Sequence, residues 1–171
     1  MTTEEFKSDV LPIKNKLYRF ALRILGNSEE AQDVVQEIFI RLWSKRDKIS
    51  EYRSIEAFAM TMTRNLCFDM LKSPSSKIET LDETRAMTDN RTPYSETETS
   101  DTIKMVFMAM DSLPEQQRMV IHLRDVEGCD FDEIAEVTGL SLNNVRVNLS
   151  RARKKIRDTL IKIHNYEFSK N

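Results

Sequence analysis

The sequence predicts an all-α protein of two small helical domains joined by a flexible linker, the C-terminal one a helix-turn-helix. Three observations carry that expectation. Apolar residues recur at steps of three and four along both ends of the chain, with no alternating apolar runs. Three Gly and four Pro in 171 residues offer few of the tight turns a sheet needs. Between the two periodic regions, residues 73–101 carry seven acids against three bases, abundant Ser and Thr, and two prolines, a composition unable to offset chain entropy by burial. The expected limits are therefore 1–72, a linker over 73–101, and 102–171.

Composition excludes several classes. The chain is 40% hydrophobic and 32% charged, ordinary for a soluble protein, and its net charge of −2 means that any contact with nucleic acid must be local. It has no apolar run long enough for a membrane span, and the acidic opening MTTEEFKSD does not read as a signal peptide, so a cytoplasmic location is expected. Cys67 and Cys129 lack metal-ligand spacing or a neighbouring His and read as reduced thiols. With no Gly-rich phosphate loop, no Ser/His/Asp or Cys/His constellation and no metal spacing, neither an enzyme nor a cofactor is expected.

In the first domain a helix is expected from Pro12, suited to a first turn, to Gly26. Ile13, Leu17, Phe20, Ala21 and Ile24 form its buried stripe, and Lys14, Lys16, Arg19 and Arg23 a solubilising outer face. Asn27 caps a second helix with Glu30 three residues on. Ala31, Val34, Val35, Ile38 and Leu42 make its core stripe, whereas Phe39, Ile40 and Trp43 are surplus apolar surface that wants a partner. Residues 44–58 read as a charged connection. Helix resumes near Ser54 with Ile55, Phe58, Met62, Leu66 and Met70 inward and Arg64, Asn65, Asp69 and Lys72 outward.

The second domain opens on Ile103, Val106, Phe107 and Met110. Ser112 and Glu115 suggest a capping box around Pro114, and Met119, Val120 and Leu123 face inward up to Gly128. His122 has no catalytic partner in view. Asp130 caps a short helix with Phe131, Ile134, Ala135 and Val137 inside. Gly139 ends it, and Ser141 starts another whose apolar stripe is Val145, Leu149, Ala152, Ile156 and Leu160. The tail is expected to fray. From Ser141 onward eight Lys and Arg face two acids, whereas Thr102–Leu140 holds three bases and eight acids. That reversal of sign points one face at a polyanion. Asn and Arg at the entry of the cationic helix are residue types that read base edges in a major groove.

At LPEQQRMVIHL (113–123) and FDEIAEVTGLSLNNVRVNLSRARKKIR (131–157) the chain resembles the upstream-promoter-reading domain four of bacterial sigma factors. DVVQEIFIRLW (33–43) resembles the polymerase-docking helix of their domain two. The order of the two matches and the shortness of the chain are similar to the extracytoplasmic-function (ECF) group. The resemblance implies binding to core RNA polymerase and to promoter DNA, and an anti-sigma inhibitor as a further partner. It assigns polymerase contact to Asp33, Gln36, Glu37, Ile40 and Trp43. Upstream (−35) element contact falls on Asn144, Arg146, Val147, Ser150, Arg151, Arg153, Lys154 and Lys155, of which Asn144 and Arg153 would sit on phosphate. Downstream (−10) element contact and melting fall on Glu51, Tyr52, Arg53, Arg64 and Asn65, with Phe58 left to the core. The resemblance implies that the acidic linker threads the RNA path of the polymerase; a plain solvated tether is the other reading of the same residues. Two other readings stay open: a stand-alone helix-turn-helix regulator with Phe39 and Trp43 as a dimer face, and an adaptor that docks on polymerase without directing initiation.

Overall fold

The computed structural model describes residues 1–73 and 100–170, and its internal contacts fall into two compact units, Met1–Asn90 and Arg91–Asn171. All described secondary structure is helical. The expected linker lies almost wholly outside the described residues.

In the first unit the helices are α1 (Thr3–Asp9), α2 (Lys14–Leu25), α3 (Ser28–Ser44), α4 (Arg46–Ile49) and α5 (Ile55–Lys72), with a 3-10 turn at Leu11–Ile13. Helix α2 packs on both α3 and α5, which also touch each other. The core stripe expected of α3 is buried as read: Ala31, Val34, Val35, Ile38 and Leu42. So is that of α2, and Asn27 accepts the Glu30 N–H at 3.0 Å.

Four expectations here need correcting. Helix α1 was not foreseen; it is stapled by a reciprocal box in which Thr2 N–H donates to the Glu5 carboxylate at 2.7 Å and Glu5 N–H to Thr2 Oγ1 at 3.2 Å. The Thr2 backbone N–H, with the hydroxyl second, holds the Glu5 carboxyl below its ordinary value. Helix α4 lies inside the supposed connection and buries Ile49. The cations of α2 are not all solubilising: Arg23 is buried, and Lys16 pairs with Glu56 of α5 at 2.7 Å. Finally, α5 buries Ala57, Ala59, Met60, Thr63 and Cys67, and the expected stripe of Ile55, Phe58, Met62, Leu66 and Met70 is only half-buried. Apolar residues surround much of this helix, so periodicity could not choose the face; small side chains did, by letting two helices approach. Thr63 tolerates that position because its hydroxyl donates to the Ala59 carbonyl at 2.8 Å.

In the second unit the helices are α6 (Asp101–Asp111), α7 (Glu115–Ile121), a π-helical turn (His122–Val126), α8 (Phe131–Thr138) and α9 (Leu142–Lys170). Helix α9 crosses α7, α6 and α8 and supplies Val145, Leu149, Ala152 and Ile156 to the core. The Ser112/Glu115 box does not form. Pro114 occupies the N-cap, and Ser112 Oγ instead donates to the Ala109 carbonyl at 2.7 Å. The tail expected to fray is helical to Lys170, with His164 against Phe168 and Lys170 over Tyr166, both one turn apart. His122 is fully buried, its Nε2 3.4 Å from the equally buried Glu127 carboxylate.

Candidate nucleic-acid and polymerase interfaces

The sequence builds the helix-turn-helix by local chemistry. Asp130 Oδ1 accepts the Glu133 N–H at 2.8 Å and starts α8, with Asp132 and Glu133 at the positive end of its dipole. Gly139 ends it with φ 73°, a left-handed conformation that costs a side chain-bearing residue dearly, and its N–H reaches the Ala135 carbonyl at 2.9 Å. Thr138 Oγ1, buried, donates to the Ile134 carbonyl and accepts from Leu140 N–H, which fixes the turn. Ser141 Oγ then accepts the Asn144 N–H at 3.1 Å and opens α9. Ile134 and Val137 supply the buried side of α8.

Around this frame the expected upstream-element residues separate by exposure. Asn144, Arg146, Ser150, Arg151, Lys154 and Lys155 are exposed on α9, whereas Val147 is half-buried. Arg146 lies over the Phe131 ring, 5.7 Å from its centroid, and Arg124 covers the same ring at 4.7 Å. Phe131 is thus only half-buried, at the rim of the core rather than within it. Arg153 has a partner within the chain: its guanidinium grips Asp125 of the π-helical turn bidentately, at 2.6 and 3.1 Å. The Asp125 hydrogen bond pushes the Arg153 pKa above its ordinary value. Asp125 escaped the sequence reading because it lies 28 residues from its partner, beyond any helical spacing.

The downstream-element candidates form two groups. Glu51, Tyr52 and Arg53 are exposed in the loop before α5. Arg64 is half-buried on α5, donating to Asn65 Oδ1 at 3.0 Å and lying over Phe68. Phe58, assigned to the core from sequence, is the residue missed: it is half-buried and stacks on Tyr52, with Lys45 5.7 Å above its ring. Tyr52 therefore has one face backed and the other toward solvent.

On α3 the polymerase-facing candidates Asp33 and Gln36 are exposed, and Glu37 pairs with Arg41 at 2.9 Å. Ile40 is 63% exposed and Trp43 38%. Part of the surplus apolar surface finds its partner within the chain, because Phe6 of α1 meets Trp43 edge-on at 5.0 Å and Phe39 at 6.4 Å. Arg46 covers the Trp43 ring at 4.5 Å. Ile40 is left uncovered. Among the described residues no cluster of His, Cys, Asp and Glu could hold a metal, and no helix is long and apolar enough to cross a membrane.

Among the described residues the structure is all-helical, with a helix-turn-helix in the second unit and a helix with an exposed apolar edge, α3, in the first. Residues 11–76 match the family profile described as Sigma-70 region 2, and residues 103–156 match Sigma-70, region 4. The chain belongs to the sigma-70 family of RNA polymerase sigma factors, in its ECF group. It is 31% identical over 153 residues to the ECF RNA polymerase sigma factor SigE of Mycolicibacterium smegmatis, covering 86% of this chain and 58% of that protein. It is 28% identical over 168 residues to the ECF RNA polymerase sigma factor SigW of Bacillus subtilis, covering 90% and 88%. Among solved structures its fold is similar to that of the sigma factor RpoE from Bartonella quintana, crystallised with the anti-sigma factor NepR. There the TM-score is 0.76 at 22% identity, over 92% of this chain and 98% of that one.

Proposed function

We propose that this chain binds core RNA polymerase and directs promoter-specific initiation, reading the −35 element with α9 and the −10 element with the Tyr52 loop and α5. The observation that carries this is the presence, in one chain and in family order, of both the region 2 and the region 4 matches. A stand-alone helix-turn-helix regulator needs only the second, and part of its supposed dimer face packs on Phe6 within the chain. The functional divisions are 1–72 for docking and melting, 73–101 as an acidic linker, and 102–171 for the upstream element.

In this reading Asp33, Gln36, Glu37, Ile40 and Trp43 touch polymerase, Ile40 supplying exposed apolar area. Arg146, Val147, Ser150 and Arg151 face base edges, and Asn144, Arg153, Lys154 and Lys155 face phosphate. Glu51, Tyr52, Arg53, Arg64 and Asn65 hold an unstacked base of the downstream element, for which a ring face and hydrogen-bonding groups are the required chemistry. The chain acts by binding and positioning, without catalysis of its own, in the cytoplasm where polymerase works, and an anti-sigma protein restrains it.

Co-elution with core polymerase stripped of its own specificity subunit tests the docking half. Wild type co-elutes, and Ile40→Asp, which places a charge in the apolar contact, does not. Co-elution of Ile40→Asp equal to wild type removes α3 from the interface.

A further inference from the structure

Beside the recognition face lies a cleft of about 310 Å³, walled by Arg146, Ser150, Arg153 and Arg157 over Phe131 and Leu149. Three arginines line it, and among the described residues Arg153 carries a carboxylate partner, Asp125. We propose that this cleft seats one phosphate of the DNA backbone, and that Asp125 is an internal counter-ion which that phosphate displaces from Arg153. The inference rests on the proposed function and adds Arg157 and Asp125 to it.

A guanidinium fork takes the paired oxygens of a carboxylate or of a phosphate in the same bidentate geometry. The place of the Asp125 oxygens, 2.6 and 3.1 Å from Arg153, is therefore a place where an oxyanion fits. Both partners are accessible, with side-chain exposures of 52% and 39%. An ion pair that wet is held weakly and can be exchanged without unpacking the core. Asp125 neutralises Arg153, which leaves Arg157 to attract the incoming phosphate, while Arg146 and Ser150 form the wall shared with the base-reading face. The cleft borders α9 on the side of Phe131, at the start of α8, where a helix-turn-helix meets the strand flanking the groove it reads. Asp125 also arrives on the π-helical turn, a local departure from regular α-helix of the kind that re-aims side chains at working sites.

The sign of one substitution decides between this reading and a merely bracing role. Measure binding of holoenzyme, core polymerase plus full chain, to a promoter duplex and to a shuffled duplex across a salt series. Asp125→Asn frees Arg153; affinity for both duplexes rises about fivefold near 0.1 M salt, and the salt slope steepens by about one contact. Arg157→Ala lowers both affinities alike and flattens the slope by about one. In an Arg153→Ala background Asp125→Asn has no effect. If Asp125→Asn weakens binding or leaves it unchanged in a chain with wild-type melting temperature, the counter-ion idea is overturned. Should that variant melt early, Arg157→Ala with an unchanged slope overturns the seat. A wild-type holoenzyme that fails to prefer the promoter duplex brings down the family function as well, which separates the two failures.

Discussion

Tyr52 and Phe58 lie face to face, ring centroids 4.1 Å apart and planes 12° from parallel. The stack joins the exposed loop before α5 to the body of that helix, so a loop side chain gains a rigid backing. Tyr52 remains 44% exposed. A base turned out of the duplex can then stack on a ring that is already held, which lowers the ordering cost of capture.

From this stack comes the first prediction. Tyr52→Ala removes the platform and should cost about 1–3 kcal/mol in open-complex stability. Phe58→Leu keeps apolar bulk but loses the stacked backing, and should give a smaller loss in the same direction. Permanganate footprinting of the melted region, with duplex binding to the upstream element measured alongside, checks both. Melting should fall while upstream binding holds; loss of both together would mean that the variants had damaged the fold.

The turn between α8 and α9 offers a second. A Cβ added at Gly139 would meet nothing within 4 Å, so the cost of Gly139→Ala is that of the left-handed backbone, φ 73°, and not of a clash. About 1–2 kcal/mol of stability should be lost. Chemical denaturation followed by circular dichroism reads it, and Gly139→Asn should recover part of the loss, since Asn tolerates this conformation. A neutral Gly139→Ala would mean that the turn relaxes to negative φ.

Cys67 supplies a third. Burial first, and the nearby Glu30 charge second, push its thiol up from 9.0 to about 12. Its folded pKa lies above the unfolded one, so its contribution to stability is complete below pH 9 and is lost as pH climbs toward 12. At pH 8 the thiolate fraction is cut by about a thousandfold relative to an open thiol. Cys129 is buried as well. Ellman's reagent should therefore find both thiols inert in the native chain and reactive in guanidinium. Rapid native reaction at Cys67 would contradict the packing of α5 against α2 and α3.

Much of this was legible in the sequence where the cause is local. Asn27, Asp130, Gly139 and Ser141 act within four residues of themselves, and each caps or ends its helix as read. The stripe of α3 was legible because its apolar residues leave a clear polar edge. The inward face of α5 was not, because apolar side chains surround it and the deciding feature is the small size of Ala57, Ala59 and Thr63 against two neighbours. Asp125 with Arg153, Phe6 with Trp43 and Lys16 with Glu56 each join residues far apart in the chain, and no periodicity announces such pairs. Phe58 was placed in the core because a helical Phe usually belongs there; its stacking partner sits in a loop whose path the sequence does not fix.

The central claim is that two helical modules in one chain, one docking on polymerase and holding the downstream element, the other reading the upstream element, turn core enzyme into a promoter-specific one. The most direct measurement is run-off transcription from a promoter library by purified core polymerase, with and without this chain, mapping every 5′ end. The account predicts discrete start sites that appear only with the chain and share an upstream and a downstream element. Transcripts with the same scattered 5′ ends in both reactions, despite stable binding of the chain to polymerase, would contradict it.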